Sequence, residues 1–166
     1  MAEAVVKKLS AVVLPALLLI GVYDYLTNFE SNYCNMTYMY ETPEYIPIPL
    51  HPDVHKQFPH YKLYLYGEGT KSYDGIPVLF IPGNAGSYKQ VRSLASVAYR
   101  MSVKYSFHFN YFSVDLNEEY SALYGLTLQA QTEFVHASIK RILKLYQTSK
   151  TSSPCSVILV GHSMGG

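Results

Sequence analysis

The sequence predicts an α/β chain: a parallel sheet with crossover helices, preceded by a transmembrane helix. Three observations carry that expectation. Short apolar runs at Val78–Ile81, Phe107–Val114 and Val157–Val160 alternate with stretches whose apolar residues recur at helical spacing. Strand, helix, strand, helix, strand is the order that builds a parallel sheet with right-handed crossovers. The first and last of these runs break into glycine-rich turns, Pro82-Gly83-Asn84-Ala85-Gly86 and Gly161-His162-Ser163-Met164-Gly165, and Leu9 to Tyr23 is free of charge over fifteen residues.

Taken in order, the uncharged stretch is framed by Lys7-Lys8 and Asp24. At 1.5 Å per residue it covers about 22 Å, against roughly 30 Å of hydrocarbon. A span therefore draws in Asp24 to Phe29 or lets its flanking charges snorkel. A cleaved signal peptide is the alternative, but Gly21-Val22-Tyr23-Asp24-Tyr25 is bulky where a small-residue cleavage site belongs, which favours an uncleaved anchor. Pro15 only kinks such a helix. Lysines before the stretch and Asp24, Glu30, Glu41 and Glu44 after it place its start in the cytosol and the body of the chain in the lumen. Asn35-Met36-Thr37 is an N-glycosylation acceptor, which is meaningful in that compartment. Cys34 and Cys155 either pair in an oxidising lumen or remain as two thiols.

Residues 38 to 60 hold five prolines, Pro43, Pro47, Pro49, Pro52 and Pro59, which exclude a long helix and predict an extended wrapping segment. Tyr61 to Tyr66 reads as a strand ended by Gly67-Glu68-Gly69. After the buried run Val78–Ile81, Ser87 is placed to cap a helix, with Gln90 three residues on in a capping-box arrangement. Val91, Leu94, Ala95, Ala98 and Met101 mark the apolar face of that helix. A third strand spans Phe107 to Val114, and Asp115 to Glu119 opens a loop. A helix from near Thr127 shows Leu128, Val135, Ile139, Ile142 and Tyr146 on one face. The strand Val157–Val160 should be buried, and it delivers Ser163. The expected division is residues 1–30 as cytosolic tip and anchor, 31–60 as the extended lumenal segment, and 61–166 as an incomplete catalytic domain.

Composition narrows the function. A formal net charge of +1, with no basic run longer than Lys7-Lys8 or Lys140-Arg141, argues against nucleic acid as a partner. No His/Cys/Asp/Glu grouping resembles a metal site, and no cofactor is implied. Seventeen Tyr and no Trp, clustered between Tyr33 and Tyr66, suit a wet or membrane-facing surface or a Tyr-rich packed one.

The chemistry is concentrated at the last strand. Gly161-His162-Ser163-Met164-Gly165 fits G-x-S-x-G, in which a serine stands on a sharp strand-to-helix turn. Gly161 and Gly165 let neighbouring backbone approach without a Cβ clash. Ser163 is the expected nucleophile. Ligands on such sheets sit beyond the carboxyl ends of the strands, so Gly83–Gly86, Asp115–Glu119 and Gly161–Gly165 share one rim. The backbone N–H of Met164, with that of Asn84 or Ala85, is placed to hold an oxyanion. Asp115, Glu118 and Glu119 read as a solvated loop, because the acid and the histidine follow the serine in this design. His162 diverges from the serine, and His108 and His136 read as structural.

The chain as a whole resembles the GPI inositol-deacylase family, lipase-like α/β-hydrolases. Tyr38 to Tyr45, Leu63 to Gly69, Gly75 to Ser93, Phe112 to Glu119 and Gly161 to Gly166 carry the resemblance. It implies the amino-terminal part of an α/β-hydrolase fold in a single-pass protein of the endoplasmic reticulum membrane. The resemblance further implies that Ser163 attacks the acyl group on the inositol of a GPI-anchored protein or another acylated lipid substrate. The family's acid and histidine have no positions in these 166 residues, so the chain by itself is expected to be inactive, its fold cut at the nucleophile turn. The alternatives are a membrane-anchored lipase or thioesterase and a non-catalytic hydrolase-like fragment.

Overall fold

A computed structural model describes residues 2–27, 40–68, 72–147 and 153–166. The chain divides into two units, Met1–Met36 and Thr37–Gly166.

The first unit contains α1 (Ala2–Thr27), a helix that continues through Pro15. Its stretch Leu9–Thr27, 19 residues of mean hydropathy 1.9 with none buried, is long and apolar enough to cross a membrane. At 1.5 Å per residue it covers about 28 Å, so the helix does extend past Tyr23 as the sequence required. Thr27 Oγ1 donates back to the Tyr23 carbonyl one turn earlier at 2.8 Å.

The second unit is built on a five-stranded sheet: β1 (Glu44–Ile48), β2 (Lys62–Gly67), β3 (Ile76–Ile81), β4 (Phe109–Asp115) and β5 (Ile158–Gly161), in the order β1-β2-β4-β3-β5. β4, β3 and β5 run parallel, whereas β1 with β2 and β2 with β4 are antiparallel. The sheet is thus mixed rather than parallel throughout. The 38–60 segment also gives more structure than a wrapping strap, since it supplies β1 and the short helix α2 (Pro52–Gln57). Pro47 is tolerated in β1 because the strand lies at the sheet edge, where a missing N–H costs no second ladder.

Side-chain alternation sorts the core into two layers. On one face Leu63, Leu65, Leu79, Phe112 and Val114 pack with Phe134, Ile142 and Tyr146 of α4 (Gly125–Gln147). On the other Tyr66, Val78, Phe80 and Tyr111 pack with Val91 and Ala95 of α3 (Val91–Ser102). Both faces of the central strands are covered, which is why their sequences read as continuous apolar runs. Full burial of a side chain such as Leu79 or Phe112 contributes about 1.5–3 kcal/mol.

Four expectations shift. Ser87 accepts from Lys89 N at 3.4 Å and caps a 3-10 turn (Tyr88–Gln90) ahead of α3, in place of a capping box at an α-helix start. The buried face of α3 is Val91, Ala95 and Ser96, while Leu94 and Met101 are 40% and 50% exposed. β5 is exposed, Ile158 at 46% and Leu159 at 52%, because it is the edge strand. On α4 the buried set is Gln131, Phe134, Ser138, Ile142 and Tyr146, with Val135 and Ile139 at its margin.

Tyr146 is fully buried, yet its hydroxyl meets no hydrogen-bond partner among the described residues. Burial pushes its pKa well up. Removing an unsatisfied buried hydroxyl removes a desolvation cost with little change of shape. Tyr146→Phe should therefore raise stability by about 1 kcal/mol in urea unfolding of the detergent-solubilised chain; a loss of stability would mean the hydroxyl has a partner.

Candidate active site

Two strand exits meet at one rim. β5 ends at Gly161, and His162 N donates to the Ile81 carbonyl at 3.0 Å, which ties the turn after β5 to the end of β3. One 3-10 turn, Ser163–Gly165, follows. Ser163 has φ 56°, a left-handed conformation that a non-glycine residue adopts at a cost and that recurs at functional turns. The hydroxyl-bearing residue is exposed.

The glycines around it are there because backbone fills the space. A Cβ on Gly165 would lie 2.7 Å from the Pro82 carbonyl oxygen, and one on Gly161 would run into the Gly165 carbonyl. On Gly83 it would sit 2.6 Å from the His162 carbonyl oxygen and 2.8 Å from Ser163 Cβ. Gly83 therefore abuts Ser163 directly. The Gly83–Gly86 loop and the serine turn, some eighty residues apart in the chain, form one packed unit.

The donors of that unit can be sorted. Gly165 N donates to His162 O at 3.0 Å and Gly166 N to Ser163 O at 3.2 Å. Met164 N and Asn84 N have no acceptor among the described residues. Ala85 differs from expectation: with φ 51° it turns its N–H onto the Glu119 carbonyl at 3.0 Å. That N–H is engaged, whereas the Asn84 N–H is not.

Nor is Glu119 a solvated loop residue. Tyr61 Oη donates to Glu119 Oε2 at 2.6 Å, and burial together with this carboxylate holds the Tyr61 pKa far above that of an ordinary tyrosine. Ala122 N donates to Asn84 Oδ1 at 3.0 Å. Asn117 and Glu118, at φ 58° and 53°, form the tight turn that folds this loop back, and Glu119 N donates to Leu116 O across it at 3.3 Å. Asp115 Oδ1 accepts from Asn117 N at 3.1 Å, while Glu118 is exposed. The loop after β4 thus clamps Asn84 and Ala85 from the far side. Sequence reasoning put these three loops on one rim but missed the clamp; its one local signal was the tyrosine just before β2.

No described histidine is hydrogen-bonded to Ser163. His108 precedes β4, at the opposite end of the sheet from the rim, with Nε2 2.9 Å from Asp74 Oδ1. Bonds from Ser72 and His108 hold the Asp74 carboxyl below its usual range against the opposing effect of burial. His136 is exposed on α4 and His162 on the turn. Among the described residues no group of three His/Cys/Asp/Glu could hold a metal. Cys155 is an exposed free thiol, and Cys34 and Asn35 lie outside the described residues.

Comparison with known proteins places this geometry. Residues 72–166 match the family described as the PGAP1-like alpha/beta domain. The chain is 52% identical over 156 residues to the GPI inositol-deacylase of Mus musculus, covering 89% of this chain and 17% of that one. With that of Xenopus laevis it shares 52% over 159 residues, 90% and 17% of the two chains. With that of Drosophila melanogaster it shares 43% over 156 residues, 88% and 16%. The chain thus spans about a sixth of the length of the curated relatives it matches.

If the Tyr61–Glu119 bond holds the clamp, Tyr61→Phe should leave the global fold intact and loosen residues 83–87. Hydrogen exchange at Ala85 N–H is expected to quicken by about tenfold, the equivalent of one charge-assisted bond. Unchanged exchange would show that the clamp stands without it. Gly165→Ala should be far more damaging, because the atoms it meets are backbone carbonyls that cannot rotate away.

Proposed function

The chain belongs to the PGAP1-like alpha/beta domain family, and on that premise we propose that it carries the nucleophile of a serine ester hydrolase. The enzyme removes the fatty acyl chain from the inositol of GPI-anchored proteins. The observation that carries this reading is the left-handed Ser163 held against Gly83, with two unoccupied N–H groups, Met164 and Asn84, on the turns that meet there.

In the proposed reaction Ser163 Oγ attacks the acyl carbonyl carbon while a histidine takes its proton. The carbonyl oxygen becomes an oxyanion, which accepts from Met164 N–H and Asn84 N–H. Collapse breaks the bond to the inositol oxygen, which leaves with the proton from the histidine. Water then attacks the acyl-serine, and the fatty acid departs. No described histidine is hydrogen-bonded to Ser163, and in this design the acid and the histidine come later in sequence than the serine, in the order Ser, Asp or Glu, His. An acyl chain lying in a bilayer fits an enzyme held there by α1. The proposed setting is the endoplasmic reticulum membrane with the second unit lumenal, supported by Lys7-Lys8 before the apolar stretch and Asn35-Met36-Thr37 after it.

Two experiments test the reading. In the longest chain its gene encodes, Ser163→Ala should abolish fatty-acid release from an acylated inositol glycolipid while membrane insertion persists, and triacylglycerol should be a poor substrate. Asn84→Pro, which deletes one donor, should lower the rate on the order of 10²–10³. Turnover by Ser163→Ala, or a preference for triacylglycerol, would refute the assignment. In microsomes, endoglycosidase should shift the mass of the wild-type chain and leave Asn35→Gln unchanged; release of the chain by alkaline carbonate would count against the anchor.

A further inference from the structure

We propose that the segment Tyr120–Leu126, which leads from the loop after β4 into the first turn of α4, is a lip that dips into the apolar layer of a bilayer and delivers the substrate's acyl ester to the serine rim. The proposal rests on the esterase reading above and adds to it the surface by which the substrate arrives. Four large apolar side chains stand in solvent here: Tyr120 is 64% exposed, Leu123 82%, Tyr124 59% and Leu126 63%. No large hydrophobic side chain among the described residues is more exposed than Leu123. Single exposed apolar residues are ordinary, but four within seven positions form a patch of the kind that marks an interaction surface.

The backbone beneath this patch is held. Ser121 is buried and its N–H donates to the Glu119 carbonyl at 3.0 Å. Ala122 N donates to Asn84 Oδ1 at 3.0 Å. Leu123 N reaches back to the Tyr120 carbonyl and Thr127 N to the Tyr124 carbonyl, both at 3.1 Å. The main chain is therefore tied to the protein while the side chains on either side of the tie project from it. Through Ala122 the lip is one hydrogen bond away from Asn84, the residue whose N–H is proposed to receive the oxyanion.

Composition and position select the occupant. No residue from Tyr120 to Thr132 is charged, and no Lys or Arg occurs between Lys104 and Lys140. An anionic headgroup finds no cation on this segment, so what the lip matches is the apolar layer beneath the headgroups, whatever their charge. Tyrosine with leucine is a pairing suited to a membrane boundary, where the ring and the aliphatic chain enter the apolar layer and the phenol oxygen stays wet. The ester of the proposed substrate lies at that same boundary, between an acyl chain in the bilayer and a polar inositol. A lip bonded to the donor loop brings the boundary to Ser163, so that the ester reaches the serine while most of the acyl chain stays in lipid.

A benzophenone side chain at position 123 (Leu123→p-benzoylphenylalanine) tests this in the longest chain the gene encodes, reconstituted in phosphatidylcholine vesicles. Illumination is expected to yield a phosphatidylcholine adduct at that position, unaffected by high salt or by replacing part of the lipid with phosphatidylserine. The same probe at Val103, which is 80% exposed at the opposite end of the sheet from the rim, should yield none. A crosslink from position 123 into this chain or another protein, or equal lipid labelling from position 103, would overturn the proposal. Turnover supplies the second readout. The Leu123→Ser/Tyr124→Ser variant should raise the apparent KM for acylated inositol glycolipid in vesicles about tenfold; a loss confined to kcat would mean that the segment only positions Asn84, and the lip would be wrong. Labelling requires no turnover, so a lipid adduct from a wild-type chain that hydrolyses no ester would refute the esterase reading and leave the membrane contact standing.

Discussion

Everything at the rim depends on one constraint: the backbone leaving β3 and the backbone leaving β5 occupy almost the same space. Gly83 and Gly165 are the positions where that contact is made, Gly161 packs against the turn it opens, and at each a single added carbon would collide with main-chain atoms. The parallel pairing of Ile81 with Gly161 sets the two exits level. The bond from His162 N to the Ile81 carbonyl then fixes the direction in which the chain departs. Ser163 takes its left-handed φ of 56° where it lies against Gly83.

The second support is polar and comes from the other side. β4 lies next to β3, so the loop after β4 is the natural neighbour of the loop after β3. It reaches across with two backbone-level contacts, Glu119 O to Ala85 N and Ala122 N to Asn84 Oδ1. Tyr61, just before β2, then secures Glu119 from the next strand over. Four neighbouring strands therefore each contribute one element to the position of a single loop. The outcome is a donor at Asn84 held by bonds that do not use its N–H.

How far this could be read from the chain depended on the range of the signals. The three parallel strands, α3, α4 and the serine turn were legible, because apolar runs, helical spacing and glycine punctuation are local. So was the rim, which follows from strand direction alone. β1 was hidden by its prolines, which rule out a helix but are permitted in an edge strand, and edge status is a property of the assembled sheet. Ile158 and Leu159 are exposed at the sheet edge, and a run of aliphatics looks alike at the edge and in the centre. Val91 and Ala95 were placed correctly on α3, but Leu94 was not, because the helix enters through a 3-10 turn that rotates the buried stripe. The engagement of Ala85 N–H by Glu119 joins residues 34 apart in the chain, and no local pattern announces it.

The order of strands in the sheet also sets an order in time. β3 lies between β4 and β5, and every partner that clamps Asn84 and Ala85 has been synthesised once the ribosome passes Ala122. Ser163 comes 41 residues later, an interval of roughly 2–8 s at ordinary elongation rates. The loop that receives the serine can therefore be closed while the serine is still untranslated. The last strand can then add to a surface whose other members precede it in the chain.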